Sequence, residues 1–142
     1  MNRSVVLAAI MLAVSLTGCA SGPRFSETQA TLRPIPDGQG RVYFYRTQTM
    51  GVAVQPNIYL NGAKVGSCEP DGIFVKDLPL GKYEAVVGTE VDHKLNFVVN
   101  SGEEKYVKCY ITIGVFVGHP HLELVEPSIA KSDIQSLSLT GT

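Results

Sequence analysis

Arg41-Val42-Tyr43-Phe44-Tyr45-Arg46 is the stretch whose reading decides the fold class of this chain. Its interior is entirely β-branched or aromatic, and strand alternation sends Val42 and Phe44 to one face and Tyr43 and Tyr45 to the other. A strand that is apolar on both faces belongs in the centre of a sheet covered on both sides.

Outward from this segment the signals remain β. Ile58-Tyr59-Leu60 and Lys64-Val65-Gly66 flank Asn61-Gly62, a hairpin turn whose central residues both tolerate positive φ. Glu69-Pro70-Asp71-Gly72 is a second turn, leading into Ile73-Phe74-Val75. Asp77-Leu78-Pro79-Leu80-Gly81 turns the chain into a strand at residues 83–87. Leu95-Asn96-Phe97-Val98-Val99 stops at Asn100-Ser101-Gly102. Residues 106–117 read as one further strand, with Val107, Cys109, Ile111 and Ile113 on one face and Lys108, Tyr110 and Thr112 on the other.

About seven strands, spaced by roughly 8–12 residues, predict a mainly β chain folded as an antiparallel β-sandwich. One C-terminal helix is expected to follow. Pro127 or Ser128 opens it, and Ala130, Ile134 and Leu137 form one apolar stripe at i, i+4 and i+7. A helix of about three turns is marginal alone, so it should pack on the sheet. Residues 139–142 are expected to fray.

The chain has 142 residues, enough for one ordinary domain. Hydrophobic residues make up 44% and charged residues 18%, which sets it apart from disordered chains. A formal net charge of −1 leaves no basic footprint for nucleic acid. No second long apolar run follows the N-terminus, which excludes a polytopic membrane protein built of helices.

At the N-terminus, Arg3 precedes an apolar stretch over residues 5–14, too short to span a bilayer but suited to an export signal. It closes on Leu16-Thr17-Gly18-Cys19, which resembles the lipobox of bacterial lipoproteins. That resemblance implies cleavage before Cys19, a diacylglycerol on its thiol and acylation of the new amino group. The alternative is an ordinary cysteine behind a conventional signal peptide. Lipoproteins with Asp after the cysteine favour the inner membrane; Ala20 stands there, so the resemblance implies an outer-membrane anchor facing the periplasm. Two or more acyl chains hold a protein stably where one does so marginally. Loss of Arg3 takes the net charge from −1 to −2, so the lipid, not the protein's charge, does the holding.

The expected organisation is therefore a signal peptide over 1–18, a lipidated N-terminus with a flexible tether over 19–39, and a sandwich domain with its helix over 40–142. Pro23, Pro34, Pro36 and Gly38 punctuate the tether, and a short strand around residues 30–32 is the alternative there.

The domain resembles the bacterial lipoprotein family known as domain of unknown function 2846. The resemblance is carried by Gly40-Arg41-Val42-Tyr43-Phe44-Tyr45-Arg46, by Ile58-Tyr59-Leu60-Asn61-Gly62 with Val65-Gly66, by Leu78-Pro79-Leu80-Gly81-Lys82-Tyr83, and by Gly102-Glu103-Glu104-Lys105-Tyr106-Val107. It extends over roughly residues 38–138. The Leu-Pro-x-Gly-x-Tyr turn is also similar to that of small carbohydrate-associated sandwich modules. These motifs imply a fold rather than a chemistry, and no catalytic residue is carried over with them.

Cys68 and Cys109 form an even pair once Cys19 is lipidated, and export places them in an oxidising compartment. A bridge between them would contribute roughly 3–4 kcal/mol; two separate thiols, with Cys109 a small core residue, are the alternative. In His119-Pro120-His121-Leu122-Glu123, alternation points His119, His121 and Glu123 to one face, a ligand set suited to zinc with water or His93 in a fourth position. The same alternation equally describes a polar outer face over inward Leu122 and Leu124.

No nucleophile elbow, HExxH or phosphate loop is present, so neither an enzyme nor a bound cofactor is expected. Glu103-Glu104-Lys105 reads as a solvated strand start, and Tyr43, Tyr45, Tyr59, Tyr83, Tyr106 and Tyr110 as sheet formers or a sugar or peptide platform. The expected function is that of an outer-membrane-anchored periplasmic lipoprotein acting as a binding or structural module, its partner an envelope protein or glycan. A metal-binding periplasmic protein and an envelope hydrolase are the alternatives.

Overall fold

The computed structural model describes residues 22–140, so the signal segment and Cys19 lie outside the described residues. The deciding stretch forms β1 (Gln39–Arg46), buried from Gly40 to Arg46. β1 pairs antiparallel with β4 (Gly72–Pro79) and parallel with β7 (Glu104–Ile113). β8 (Gly118–Leu124) flanks β7, and the two-residue β9 (Ser138–Leu139) runs parallel to β4, completing a sheet in the order β8-β7-β1-β4-β9. The second sheet is antiparallel throughout, in the order β3 (Ala63–Ser67), β2 (Asn57–Leu60), β5 (Gly81–Gly88), β6 (Asp92–Val99).

The result is a β-sandwich, with two departures from the expected seven antiparallel strands. The β1·β7 and β4·β9 pairs are parallel. After β6 the chain crosses between sheets instead of folding back, and the Gly102 N–H donates to the Gln39 oxygen (2.9 Å) at the foot of β1. β7 therefore starts beside the start of β1 and runs the same way. The strand expected over 106–117 is instead two strands, because residues 114–117 make a turn closed by the Gly114 N–H on the Val117 oxygen (3.0 Å). Ile113 lies past the edge of the core and is 71% exposed, not inward as alternation suggests.

Alternation along β1 sorts its side chains into two cores. Val42 and Phe44 pack between the sheets with Ile58, Phe74, Val87 and Val107. Phe44 and Phe74 stack at 5.0 Å, and Gly66 is required beneath them because a Cβ there would fall 2.5 Å from the Phe74 ring. Asn61 and Gly62 both have positive φ (47° and 85°), as the hairpin demands.

Tyr43 and Tyr45 face the other way, into a second core with Phe25, Ile73, Tyr106, Ala130, Ile134 and Leu137. The expected C-terminal helix supplies part of this roof as α2 (Pro127–Asp133), continued by a 3₁₀ turn over Ile134–Ser136. The N-terminal segment supplies the rest, which corrects the expectation of a tether. α1 (Phe25–Thr28) and a 3₁₀ turn at Gln29–Thr31 lie on the sheet, and neither free chain nor a strand at 30–32 forms there. Phe25 is 3% exposed and meets Tyr43 edge-on at 5.8 Å. Its N–H donates to the Leu137 oxygen (2.7 Å), and the Leu139 N–H to the Pro23 oxygen (2.9 Å). A seven-residue helix is too short to cover three tyrosines, so the two terminal segments share the task. Of the end expected to fray, Leu139 and Thr140 are seated: Thr140 is buried and its N–H donates to the Ile73 oxygen (2.9 Å), while residues 141–142 lie outside the described residues. Among the described residues no helix is long and apolar enough to cross a membrane.

Candidate functional site

Between this roof and the sheet lies a cleft of about 540 Å³. Its floor follows from register. β1 presents Arg41 and Tyr43 outward, and the parallel pairing sets Tyr43 opposite Tyr106. Their rings stack at 4.8 Å and 5°. Glu104 gathers three donors at the rim: the Tyr43 hydroxyl (2.8 Å), the Tyr106 hydroxyl (3.2 Å) and the Lys131 ammonium from α2 (3.4 Å). Arg41, directly opposite Asp77 in the β1·β4 pair, grips that carboxylate with two hydrogen bonds (2.7 and 2.8 Å) and donates to the Arg33 oxygen (2.8 Å). One ion pair thus fixes both the sheet and the segment entering from the N-terminus. Beside the cleft, Asp133 repeats the pattern by accepting from the Tyr45 hydroxyl (3.2 Å) and the Lys108 ammonium (3.0 Å).

These contacts set the charge states. Burial, helped by Glu104, pushes the Tyr43 phenol up to about 12, and burial with the Glu104 charge also raises Tyr106. Burial would raise Glu104, but hydrogen bonds from Tyr43 and Lys131 outweigh it and hold the carboxyl below its ordinary value. Asp77 raises Arg41 against the opposing effect of burial. Tyr43 and Tyr106 are therefore fixed donors and Glu104 a fixed acceptor at neutral pH. Such a set is an ordered polar network in which Tyr43 and Tyr106 are buried and only Lys131 and part of Glu104 reach solvent; a phenol held protonated and a carboxylate already occupied by three donors are poorly suited to proton transfer.

β8 does place His119, His121 and Glu123 on one face, opposite buried Pro120 and Leu122. The zinc set expected from them does not assemble: among the described residues no three His, Cys, Asp or Glu side chains are grouped to hold a metal ion. The rings of His121 and His93 are taken up by neighbours. His121 stacks on Tyr110 (5.1 Å), meets His93 edge-on (4.9 Å), and its Nε2 lies 3.0 Å from the Thr112 hydroxyl. Nδ1 of His93 accepts the Leu122 N–H (3.2 Å). Burial, followed by His93 and His119, lowers the pKa of His121.

Cys68 and Cys109 are joined as a disulfide with their Cα atoms 6.1 Å apart, so the two-thiol alternative does not hold in this structure. Cys19 cannot be placed, being outside the described residues.

In the sequence Arg46 reads only as the end of a strand, yet it is 1% exposed and uses all five N–H donors on backbone oxygens. The acceptors are Gln48 (2.9 Å), Val54 (2.8 Å), Cys68 (3.1 Å), Met50 (2.7 Å) and Gly51 (3.2 Å). Burial pulls its pKa down, with Asp71 opposing. The signal is there to be found: Val42, Phe44 and Arg46 share a face, so alternation alone aims an arginine at the core. Glu104 carries no such signal, because its partners come from pairing and from α2.

The fold and the cleft define a two-sheet β-sandwich roofed on one outer face by its own terminal segments. The chain belongs to the family of proteins of unknown function DUF2846, which matches residues 36–120. It is also similar to an uncharacterized protein of Haemophilus influenzae (strain ATCC 51907 / DSM 11121 / KW20 / Rd), 29% identical over 135 residues that cover 92% of this chain and 80% of the relative. No solved structure matches. The family match takes in Arg41, Tyr43, Glu104 and Tyr106 but stops short of Phe25 and Lys131 on the roof.

Proposed function

We propose that this chain is a lipid-anchored protein of the bacterial outer membrane whose sandwich stands in the periplasm as a binding module. The anchor is supported by Leu16-Thr17-Gly18-Cys19. The recognition role is carried by one observation: a cleft of about 540 Å³ between sheet and roof, its rim set by the exposed Lys131 and by Glu104, which buried Tyr43 and Tyr106 hold in place. A prepared array of donors and acceptors binds at little ordering cost, and an envelope protein segment or a glycan offers the matching polar groups.

Two variants test this reading. Cys19→Ser is expected to release the protein from the membrane fraction or to leave the precursor uncleaved; a membrane-bound protein of mature size overturns the anchor. A photoreactive residue replacing Gln135, which lines the cleft, is expected to capture an envelope component in intact cells. Glu104→Ala should abolish that capture. Capture indifferent to Glu104→Ala would remove the cleft as the recognition surface.

A further inference from the structure

We infer that the end of the sandwich carrying residues 47–54 and 114–117 dips into the phospholipid surface to which the N-terminus is tied, giving the domain a second, non-covalent membrane contact. This rests on the anchored reading above.

The two segments form one apolar end. No charged residue occurs in 47–57 or in 111–118. Val115 and Phe116, at the turn between β7 and β8, are 89% and 95% exposed, and Met50 and Val52 are more than half exposed. Exposed side chains of this size grouped together mark an interaction surface, bordered here by Arg24 and Asp71, which line a hollow with Thr49 and Val52. The loop beside the turn is not slack. Arg46 holds four of its carbonyls from below, and the Gln48 amide bonds both ways to the backbone of Ile111 (2.8 and 3.1 Å). Built this way, Met50 and Val52 stand on a loop whose carbonyls at 48, 50, 51 and 54 are satisfied internally, and Val115 and Phe116 on a turn closed by the Gly114 N–H on the Val117 oxygen.

The occupant is indicated by where the described chain begins. Register puts Arg46 opposite Gly72, Gly72 opposite Ser138, and Ser138 opposite Arg24, all at the same end of the first sheet. β7 runs parallel to β1, so its turn is at that end as well. Arg24 shares a hollow with Thr49 and Val52 of the apolar loop. Two residues separate Cys19 from Gly22, a reach of about 11 Å at most. Acyl chains on Cys19 would therefore hold this end, rather than the opposite one, against the bilayer. The two segments carry no cation, and the Thr89 hydroxyl, next to Glu90 in the chain, meets the Gly118 oxygen (3.4 Å), so the contact does not call for anionic lipid.

The chain has no tryptophan, so Phe116→Trp gives a single reporter at a site exposed enough to leave the fold unchanged. The full-length lipidated protein would be reconstituted into phosphatidylcholine–phosphatidylethanolamine vesicles with and without bromine on the acyl chains. Tyr59→Trp, on the outer face of the second sheet, serves as the comparison. The expected result is a blue-shifted emission from the Phe116→Trp protein, quenched about twofold or more by brominated lipid, with the Tyr59→Trp protein unaffected. Emission from position 116 that stays water-like overturns the inference, as does equal quenching of both reporters. So does a reporter at 116 that is water-like on vesicles but buried by an envelope protein, since the occupant would then be protein. Mass analysis of the N-terminus reports separately on the anchor. An unmodified Cys19 refutes lipidation whatever the indole at 116 shows, and an unquenched indole there on a lipidated chain refutes only the second contact.

Discussion

The guanidinium of Arg46 donates to the backbone oxygen of Cys68, 3.1 Å away, while the Cys68 sulfur is bonded to Cys109. The disulfide and the arginine thus pin the same residue from two sides, and with it the loop over residues 47–56. Arg46→Ala should destabilise the domain by about 3 kcal/mol, because five carbonyls lose a charged donor at once. Arg46→Lys keeps the charge but offers three donors without the planar fork, so it should recover only part of that loss. Denaturant unfolding of the two variants checks the order.

Opening the Cys68–Cys109 bridge, which spans 41 residues, should cost roughly 3–4 kcal/mol on the chain-entropy model. The paired Cys68→Ala and Cys109→Ala variant, compared by urea unfolding with the oxidised protein, gives the value. Thiol titration of the mature, lipidated protein in denaturant should find no free thiol; two would refute the bridge.

Glu104 ties pH to stability. Its carboxyl is depressed when folded, so its contribution is present above the ordinary value of 4.5 and is lost as pH falls through the lower folded value. Glu104→Gln should lower stability at pH 7 by about 1 kcal/mol, allowing for solvent at the rim. It should also make the unfolding free energy less dependent on pH below 4.5. An equally steep acid limb in the variant would show that other carboxylates set it.

His121 acts in a higher window. The folded state favours its neutral ring, so stability is highest above the ordinary value of 6.5 and declines as pH falls below it, levelling off under the folded value. His121→Phe should flatten that decline below the ordinary value of 6.5. Zinc dialysis should find the same metal content in wild type and His121→Ala, because no triad of ligands among the described residues stands around that ring.

Phe25 tests the seating of the N-terminal segment. Phe25→Ala should cost about 3 kcal/mol or more, since a ring 3% exposed is removed from the Tyr43 edge contact. A change indistinguishable from that of an exposed site would return the segment to the role of a tether.

Local rules make most of the sandwich legible. The two-faced pattern in 41–46 identifies the central strand, Asn61-Gly62 the hairpin of the second sheet, and Ala130, Ile134 and Leu137 the buried stripe of the C-terminal segment, although only Ala130 falls in α2, with Ile134 in the 3₁₀ turn and Leu137 just past it. Parallel pairing is not legible, because it depends on which end of a distant strand the chain enters. The same limit hides the cleft: Tyr43 finds Tyr106, and Glu104 finds Lys131, only through that pairing and the placement of α2. Phe25 stands in a stretch punctuated by prolines with no periodicity, and its burial reflects the uncovered tyrosines rather than any helical preference of its own. The histidines show the converse case, where alternation puts them on the right face and cross-strand neighbours then claim the rings of His121 and His93.

The parallel union of β1 with β7 also governs the order of assembly. A ribbon greasy on both sides is synthesised early, yet its second neighbour follows only after five intervening strands have been made. Such distant closure slows folding, and an unmatched edge in the meantime invites aggregation. Until residues 104–113 arrive, the middle of this sheet is the part most in need of a chaperone.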